Sequence, residues 1–271
     1  MKLLITDVDG SLLPFGQAEL SPTIIDFFRT LPAQDVRVTF ATGKPFARAL
    51  PLAEALGITT PIICANGALI KDPVTKQTLF REPIDEAVAR EVIQLLAHDA
   101  RCQLYPETDK ALFFVKNPAI PEAAWRHRRP GWKIPTAYDP ATDLVEAMQD
   151  VPHKIAVSTH PDDRASVEEL LRSRFADTLS FFHSKPDILD LAAKTVDKGT
   201  AARWLMDFLH IRQEDVIVIG DEMNDIPLCA VAGQLLVREH APDALLKHAD
   251  IVIKSGDEAL ILAIKQALAI S

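Results

Sequence analysis

The sequence predicts an α/β protein, a parallel-sheet core with helices packed on it, interrupted by an inserted α+β domain. Three observations carry that expectation. Short apolar runs without alternation take turns with amphipathic segments, early in the chain and again late in it. That is the pattern of strands buried on both faces of a parallel sheet. Small or polar residues stand at the carboxyl ends of the early strands, as Asp7-Val8-Asp9-Gly10, Thr42-Gly43 and Asn66-Gly67. Between the two regions, strict β-α-β order is lost. The boundaries read from this are 1–82 and 186–271 for the core and 83–185 for the insertion.

Each element has its local reason. Leu3 to Thr6 is a short apolar strand, and Pro14 to Ser21 a polar connection. Ser21-Pro22-Thr23 opens a helix with Ser as N-cap and Pro in the first turn, and Pro32 closes it. Val36 to Ala41 is a strand rich in β-branched residues, and Phe46 to Leu56 a helix stopped by Gly57. Pro61 to Ala65 is the third strand of this series, and Leu69-Ile70 with Thr78 to Phe80 reads as a hairpin around Asp72-Pro73. In the insertion, Pro83 to His98 has helical spacing, and Cys102 to Tyr105 is expected to pair with Leu112 to Val115. The Pro-rich, basic stretch 118–140 has little pattern; its cluster Arg126-His127-Arg128-Arg129 reads as a solvated loop, the alternative being a basic face toward an anionic substrate. His153 to Thr159 and Thr178 to His183 are strands flanking a helix from Asp162 to Phe175. The core is expected to resume with a strand at Ile188 to Ala192 and a helix from Lys198. Val216 to Ile219, the most β-branched strand, follows, then Gly220-Asp221-Glu222-Met223-Asn224-Asp225 and a helix at Ile226 to Ala232. Strands at Gln234 to Val237 and Ile251 to Ile253, with helices at Pro242 to His248 and Glu258 to Ala269, complete the chain.

Composition removes several function classes. A net charge of −9 disfavours a nucleic-acid partner, because nothing draws the chain to a polyanion. Cys64, Cys102 and Cys229 are scattered without a C-x-x-C pair, which argues for a reducing compartment and against a zinc site. No apolar run approaches the roughly 20 residues of a membrane span, and the start of the chain lacks a signal-peptide pattern. The expectation is a cytoplasmic protein with neither a membrane nor a nucleic acid as partner.

The chemistry sits at strand ends, where ligands of parallel sheets bind. Two aspartates as close as Asp7 and Asp9 repel unless a cation or proton compensates, and Mg²⁺ with phosphate suits them. Asp7 is a candidate nucleophile on phosphorus and Asp9 a candidate acid and base. Asp221 would complete the metal site with Asp7. Thr42, the Gly43 N–H, Lys198 and Asn224 are candidates for holding a phosphoryl group, and Asp225 for anchoring Lys198 or the metal's water shell. His153, His160 and His183 lack metal-ligand spacing and read as packing or surface residues.

The order of these motifs resembles the haloacid dehalogenase-like phosphatases of the Cof type with a type IIB cap. The match is DVDGSLL at Asp7–Leu13, ATGK at Ala41–Lys44, NGA at Asn66–Ala68, DKG at Asp197–Gly199 and GDEMNDIPL at Gly220–Leu228. The resemblance implies a Rossmann-like core with an α+β cap at the insertion. It makes Asp7 nucleophile and metal ligand, Asp9 acid/base and metal ligand through its carbonyl, and Asp221 the third ligand of Mg²⁺. It assigns phosphate to the Val8 backbone, Thr42, Gly43, Lys198 and Asn224, with Asp225, Lys44 and Asn66 in support. Ser11 stands where the family has Thr, and Lys44 where it often has Arg, which loses the planar fork for bidentate contacts. The implied activity is Mg²⁺-dependent hydrolysis of a small phosphorylated metabolite, such as a sugar phosphate, through an aspartyl-phosphate. A hexose phosphomutase and an inactive phosphometabolite-binding regulator are the alternatives.

Overall fold

The computed structural model describes all residues except 18, 116, 118, 120–136, 139–143, 186, 270 and 271. The chain divides into two compact units, Met1–Phe80 with Asp197–Ser271, and Arg81–Val196. The first unit begins with β1 (Lys2–Thr6), α1 (Pro22–Thr30), β2 (Val36–Phe40), α2 (Phe46–Leu56), β3 (Ile62–Cys64), β4 (Leu69–Lys71) and β5 (Thr78–Arg81), the last crossing the boundary. The second holds α3 (Glu86–Leu96), β6 (Cys102–Glu107), β7 (Phe114–Val115), β8 (Ala137–Tyr138), α4 (Leu144–Met148), β9 (Lys154–Thr159), α5 (Arg164–Phe175), β10 (Leu179–Lys185) and β11 (Ile188–Ala193). The first then resumes with α6 (Lys198–Leu209), β12 (Val216–Gly220), β13 (Gln234–Arg238), α7 (Asp243–Leu246), β14 (Ile251–Ile253) and α8 (Asp257–Leu268).

In the first unit the central sheet has the order β14-β13-β12-β1-β2, all parallel. Leu3, Leu4 and Ile5 are fully buried, as the unbroken apolar run requires, and Leu3 and Ile5 share a core with Val216, Val218 and Leu205. β1 and β12 are neighbours, with Thr6 opposite Ile219, so the residues that follow each strand emerge side by side. That adjacency brings Asp7 and Asp221 together across more than two hundred positions of sequence. Ser21 caps α1 by accepting from the Ile24 N–H at 3.2 Å, and Asp197 caps α6 by accepting from the Thr200 N–H at 2.6 Å.

The second unit is built on a four-stranded antiparallel sheet, β10-β11-β9-β6. Leu104, Ile155, Val157, Leu189 and Leu191 from this sheet join Val92, Leu96, Val167 and Leu171 from its helices in one apolar core.

Three expectations change. The strand at Ile188 does not rejoin the core; it pairs antiparallel with β9 and β10, so the second unit extends beyond residue 185 to Val196. Its alternate buried side chains, Leu189 and Leu191, complete the second unit's core, a role its short apolar run does not distinguish from a core strand. Cys102–Glu107 does not form a ladder with the segment around Leu112 but with β9, the two segments meeting in a single bridge at Glu107 and Leu112. The segment after Asp221 is a 3₁₀ helix, Met223–Ala230, rather than an α-helix from Ile226. Pro227 removes a donor there, and the Asp225 carboxylate accepts from the Asp221 and Glu222 N–H groups, tightening the turn. The cluster Arg126–Arg129 lies outside the described residues. Among the described residues, no helix is long and apolar enough to cross a membrane.

Candidate active site

The site is in the first unit, at the carboxyl edge of the parallel sheet, and consists of two linked networks. The first is centred on Lys198. Its side chain is fully buried, and Nζ lies 2.8 Å from Asp7 Oδ1 and 2.6 Å from Asp225 Oδ1. The other Asp225 oxygen accepts from the N–H groups of Asp221 and Glu222 at 2.9 and 3.1 Å. Both oxygens of Asp225 are therefore occupied by donors, and its role is to anchor Lys198 and the turn. Asp7 Oδ2, by contrast, accepts no hydrogen bond among the described residues. Asp221 is wholly buried; the Ser11 hydroxyl donates to its Oδ1 at 2.6 Å, and His240 Nε2 stands 3.3 Å from its Oδ2.

Gly10 is required where these elements meet. Its φ is +84°, and a Cβ there would lie 2.0 Å from Asp221 Oδ2 and 2.6 Å from the Phe15 ring. A larger residue would be strained in its backbone and would displace the carboxylate.

The second network runs through Asp9. Lys44 Nζ holds both of its carboxylate oxygens, at 2.8 and 2.7 Å. Lys44 N–H donates to Thr42 Oγ1 at 3.2 Å, and Thr42 is buried. The Asn66 N–H donates to the Thr42 carbonyl at 3.0 Å, while Asn224 Nδ2 donates to Asn66 Oδ1 at 3.1 Å. Leu12 and Leu13 N–H groups donate to the Val8 carbonyl, folding the segment after Asp7 into a tight loop. The networks meet twice in sequence, at Asp7–Asp9 and at Asn224–Asp225.

Electrostatics define what the site favours. Asp7, Asp221 and Asp225 each place a carboxylate oxygen within 4.8 Å of the others. Burial, with repulsion from Asp225 and Asp221 and only partial relief from Lys198, pushes the Asp7 carboxyl up to about 8. Burial also pushes Asp221 up to about 7, against the Ser11 hydrogen bond. Burial opposes the charged form of Lys198, yet Asp225 and Asp7 hold its ammonium above the ordinary lysine range. The protein alone thus favours a proton on the Asp7 carboxyl. A hard divalent cation accepted by oxygen donors would take that proton's place, and the donor set fits Mg²⁺. Asp7 and Asp221 have the geometry to hold it, whereas Asp225 is already committed.

All the strand-end residues singled out in the sequence belong to these networks or to the segments that carry them. His153, His160 and His183 do not; they lie in the second unit, beside Glu107, Asp162 and Glu168. Sequence reasoning missed His240. Its signal was positional: it follows the carboxyl end of β13, the strand next to β12.

Known proteins resemble this chain over nearly its whole length. A pyridoxal phosphate phosphatase of Escherichia coli is 24% identical over 93% of this chain and 93% of its own. An HMP-PP phosphatase of an Enterobacter species is 25% identical, over 96% of this chain and 93% of its own. The solved structure of a haloacid dehalogenase subclass IIB sugar phosphatase superposes with a TM-score of 0.81 over 100% of both chains at 18% identity. The family model described as haloacid dehalogenase-like hydrolase matches residues 4–264, and the chain belongs to that family.

Proposed function

We propose that this hydrolase is a Mg²⁺-dependent phosphatase of a small phosphorylated metabolite, working through an aspartyl-phosphate on Asp7. The observation that carries the reading is the pairing of Asp7 with the buried Lys198. One carboxylate oxygen is fixed at 2.8 Å from the ammonium, and the other accepts no hydrogen bond among the described residues. A carboxylate so oriented is suited to in-line attack.

In the first step Asp7 Oδ2 bonds to phosphorus as the bond from phosphorus to the leaving oxygen breaks. Asp9 gives that oxygen its proton. In the second step water adds to phosphorus, its proton passes to Asp9, and the phosphorus–Asp7 bond breaks to release phosphate. Lys198, Thr42, Asn224 and the backbone N–H groups of Val8 and Gly43 would hold the phosphoryl oxygens. Asp7, Asp221 and the Asp9 carbonyl would hold Mg²⁺, which supplies charge neutralisation between carboxylate and phosphate. In this reading the inserted unit serves as the cap and chooses the substrate. The names of the relatives point to alcohol phosphates of small metabolites, such as sugar phosphates or pyridoxal phosphate.

The test is phosphate release from a panel of sugar, cofactor and nucleotide phosphates, with Mg²⁺ and with EDTA. Release from a few members that EDTA abolishes is expected, and Asp7→Asn should lose it while keeping the fold. Near-normal turnover by that variant would overturn the mechanism. Isomerised sugar phosphate without free phosphate would indicate a mutase.

A further inference from the structure

After β3 the backbone enters an unusual arch. Ala65, Asn66 and Gly67 have φ of +51°, +57° and +106° in succession. A left-handed conformation is uncommon for residues other than glycine, and alanine has no side-chain hydrogen bond to compensate it. Among the described residues, no other two non-glycine residues with positive φ adjoin. Such a conformation persists only when its surroundings hold it in place.

What holds the arch are the segments of the proposed phosphate site. The Ala65 N–H donates to the Lys44 carbonyl at 3.1 Å, and the Asn66 N–H to the Thr42 carbonyl at 3.0 Å. Gly67 lies so close to the start of α6 that a Cβ there would come within 2.2 Å of the Asp197 carbonyl oxygen, next to Lys198. Asn66 is fully buried, and its Oδ1 accepts from Asn224 Nδ2 at 3.1 Å. Asn224 Oδ1 is itself buried and has no hydrogen-bond partner among the described residues. One short arch therefore touches the turn at Thr42–Lys44, the start of the Lys198 helix, and Asn224.

We propose that Asn66 is a positioning residue for phosphate, fixing the Asn224 amide and the Thr42–Lys44 turn in register with Lys198. This rests on the phosphatase reading. In this role Asn66 acts through Asn224 and the Thr42–Lys44 turn. Its left-handed backbone turns its N–H to Thr42 while its side chain meets Asn224. An L-residue without a short polar side chain would give up the second contact and strain the first.

The test uses Asn66→Gly, which keeps the left-handed backbone and removes the side chain. Binding of inorganic phosphate, with Mg²⁺ present, is measured by calorimetric titration in wild type, Asn66→Gly, Asn224→Ala and the double variant. KM and kcat for p-nitrophenyl phosphate are measured beside it. Asn66→Gly is expected to weaken phosphate binding and raise KM by about ten- to a hundredfold, the scale of one charge-assisted contact. Its effect should largely disappear in the Asn224→Ala background, because the two act as one unit. A lowered melting temperature with phosphate affinity within about twofold of wild type would reduce Asn66 to a structural role and overturn the proposal. Fully additive losses in the double variant would do the same. Should Asn66→Gly not fold, the wild-type side-chain amide resonances decide: phosphate must move Asn66 and Asn224 together, and movement of Asn224 alone refutes the coupling. Wild-type protein that binds phosphate but hydrolyses no ester would sink the phosphatase reading while leaving this binding test intact.

Discussion

Replacing Lys198 by Met tests the electrostatic core of the site. The ammonium is fully buried and balances two carboxylates, at 2.8 and 2.6 Å, whose side chains are 8% and 0% exposed. Met fills a similar volume, so the loss is chiefly one of charge. Removing one member of a buried ion pair costs about 3–5 kcal/mol, because the remaining charge has no partner and little water. Asp7 joins Asp225 as a charge without a partner once pH passes about 8, and there the upper part of that range applies. The penalty must depend on pH. Asp7 is already raised from 3.8 to about 8 with Lys198 in place. Without the lysine its folded pKa rises further. A folded pKa above the unfolded one contributes stability that is complete below the unfolded value and is lost as pH climbs through the folded value. Wild type and Lys198→Met both keep the Asp7 proton well below pH 8, so the pH-dependent part of the deficit is small there and grows as pH climbs through about 8, where wild type ionises and the variant does not. Urea unfolding of both proteins at pH 6 and pH 9, with EDTA and with Mg²⁺, measures this. Mg²⁺ should recover part of the loss at pH 9, since it replaces the missing positive charge beside Asp7. An equal deficit at both pH values, or one under about 1 kcal/mol at pH 9, would refute the account of Lys198 as the site's buried counter-charge.

Two further changes probe other parts of the structure. Gly10→Ala places a Cβ 2.0 Å from Asp221 Oδ2 at a φ of +84°, so the carboxylate must move. Mg²⁺ affinity, measured by calorimetric titration, should fall by about ten- to a hundredfold, and unchanged affinity would show that Asp221 does not hold the ion. In the second unit, burial opposes ionisation of Glu107, but Lys154 at 3.0 Å and His153 outweigh it and lower its pKa from 4.5 to about 2. A depressed folded pKa gives stability that is present above the unfolded value and lost as pH falls through the folded one. The second unit should thus lose about 3 kcal/mol between pH 4.5 and pH 2. Hydrogen exchange of the amides in β6 and β9 follows this loss, and Glu107→Gln should remove the pH dependence.

How much of the molecule is legible in its sequence follows from where each signal resides. The central sheet is legible because its strands are buried on both faces, and unbroken runs such as Leu3–Thr6 and Val216–Ile219 suit little besides a strand so buried. Asp7, Asp9, Thr42, Asp221 and Asn224 are legible because they follow such strands closely. The strand at Ile188 is misplaced by sequence reasoning because a run of six residues carries no label for the sheet it will join. Its partner is decided by the antiparallel register with β9 and β10, a long-range fact. The second unit's polar cluster is illegible for a related reason. Glu107, Lys154 and Asp190 occupy strand positions that alternate with core residues, and alternation predicts that such positions face water. All three are buried instead.

Within the site, the sequence names the groups but not their division of labour. Asp225 and Asp221 both follow the same strand, and both offer a carboxylate within 4.8 Å of Asp7. Their hydrogen bonds separate them. Asp225 gives one oxygen to Lys198 and the other to two backbone donors, so taking a cation would cost it bonds already made. Asp221 receives one hydroxyl donor from Ser11 and faces His240 at 3.3 Å, so it keeps capacity for a cation. Ser11 lies 210 positions away and His240 nineteen, and nothing in their spacing announces the contact. The parallel pairing of β12 with β1 on one side and β13 on the other makes it. The carboxylate with capacity for a cation and the one that anchors Lys198 are thus told apart by which donors the sheet order delivers to each.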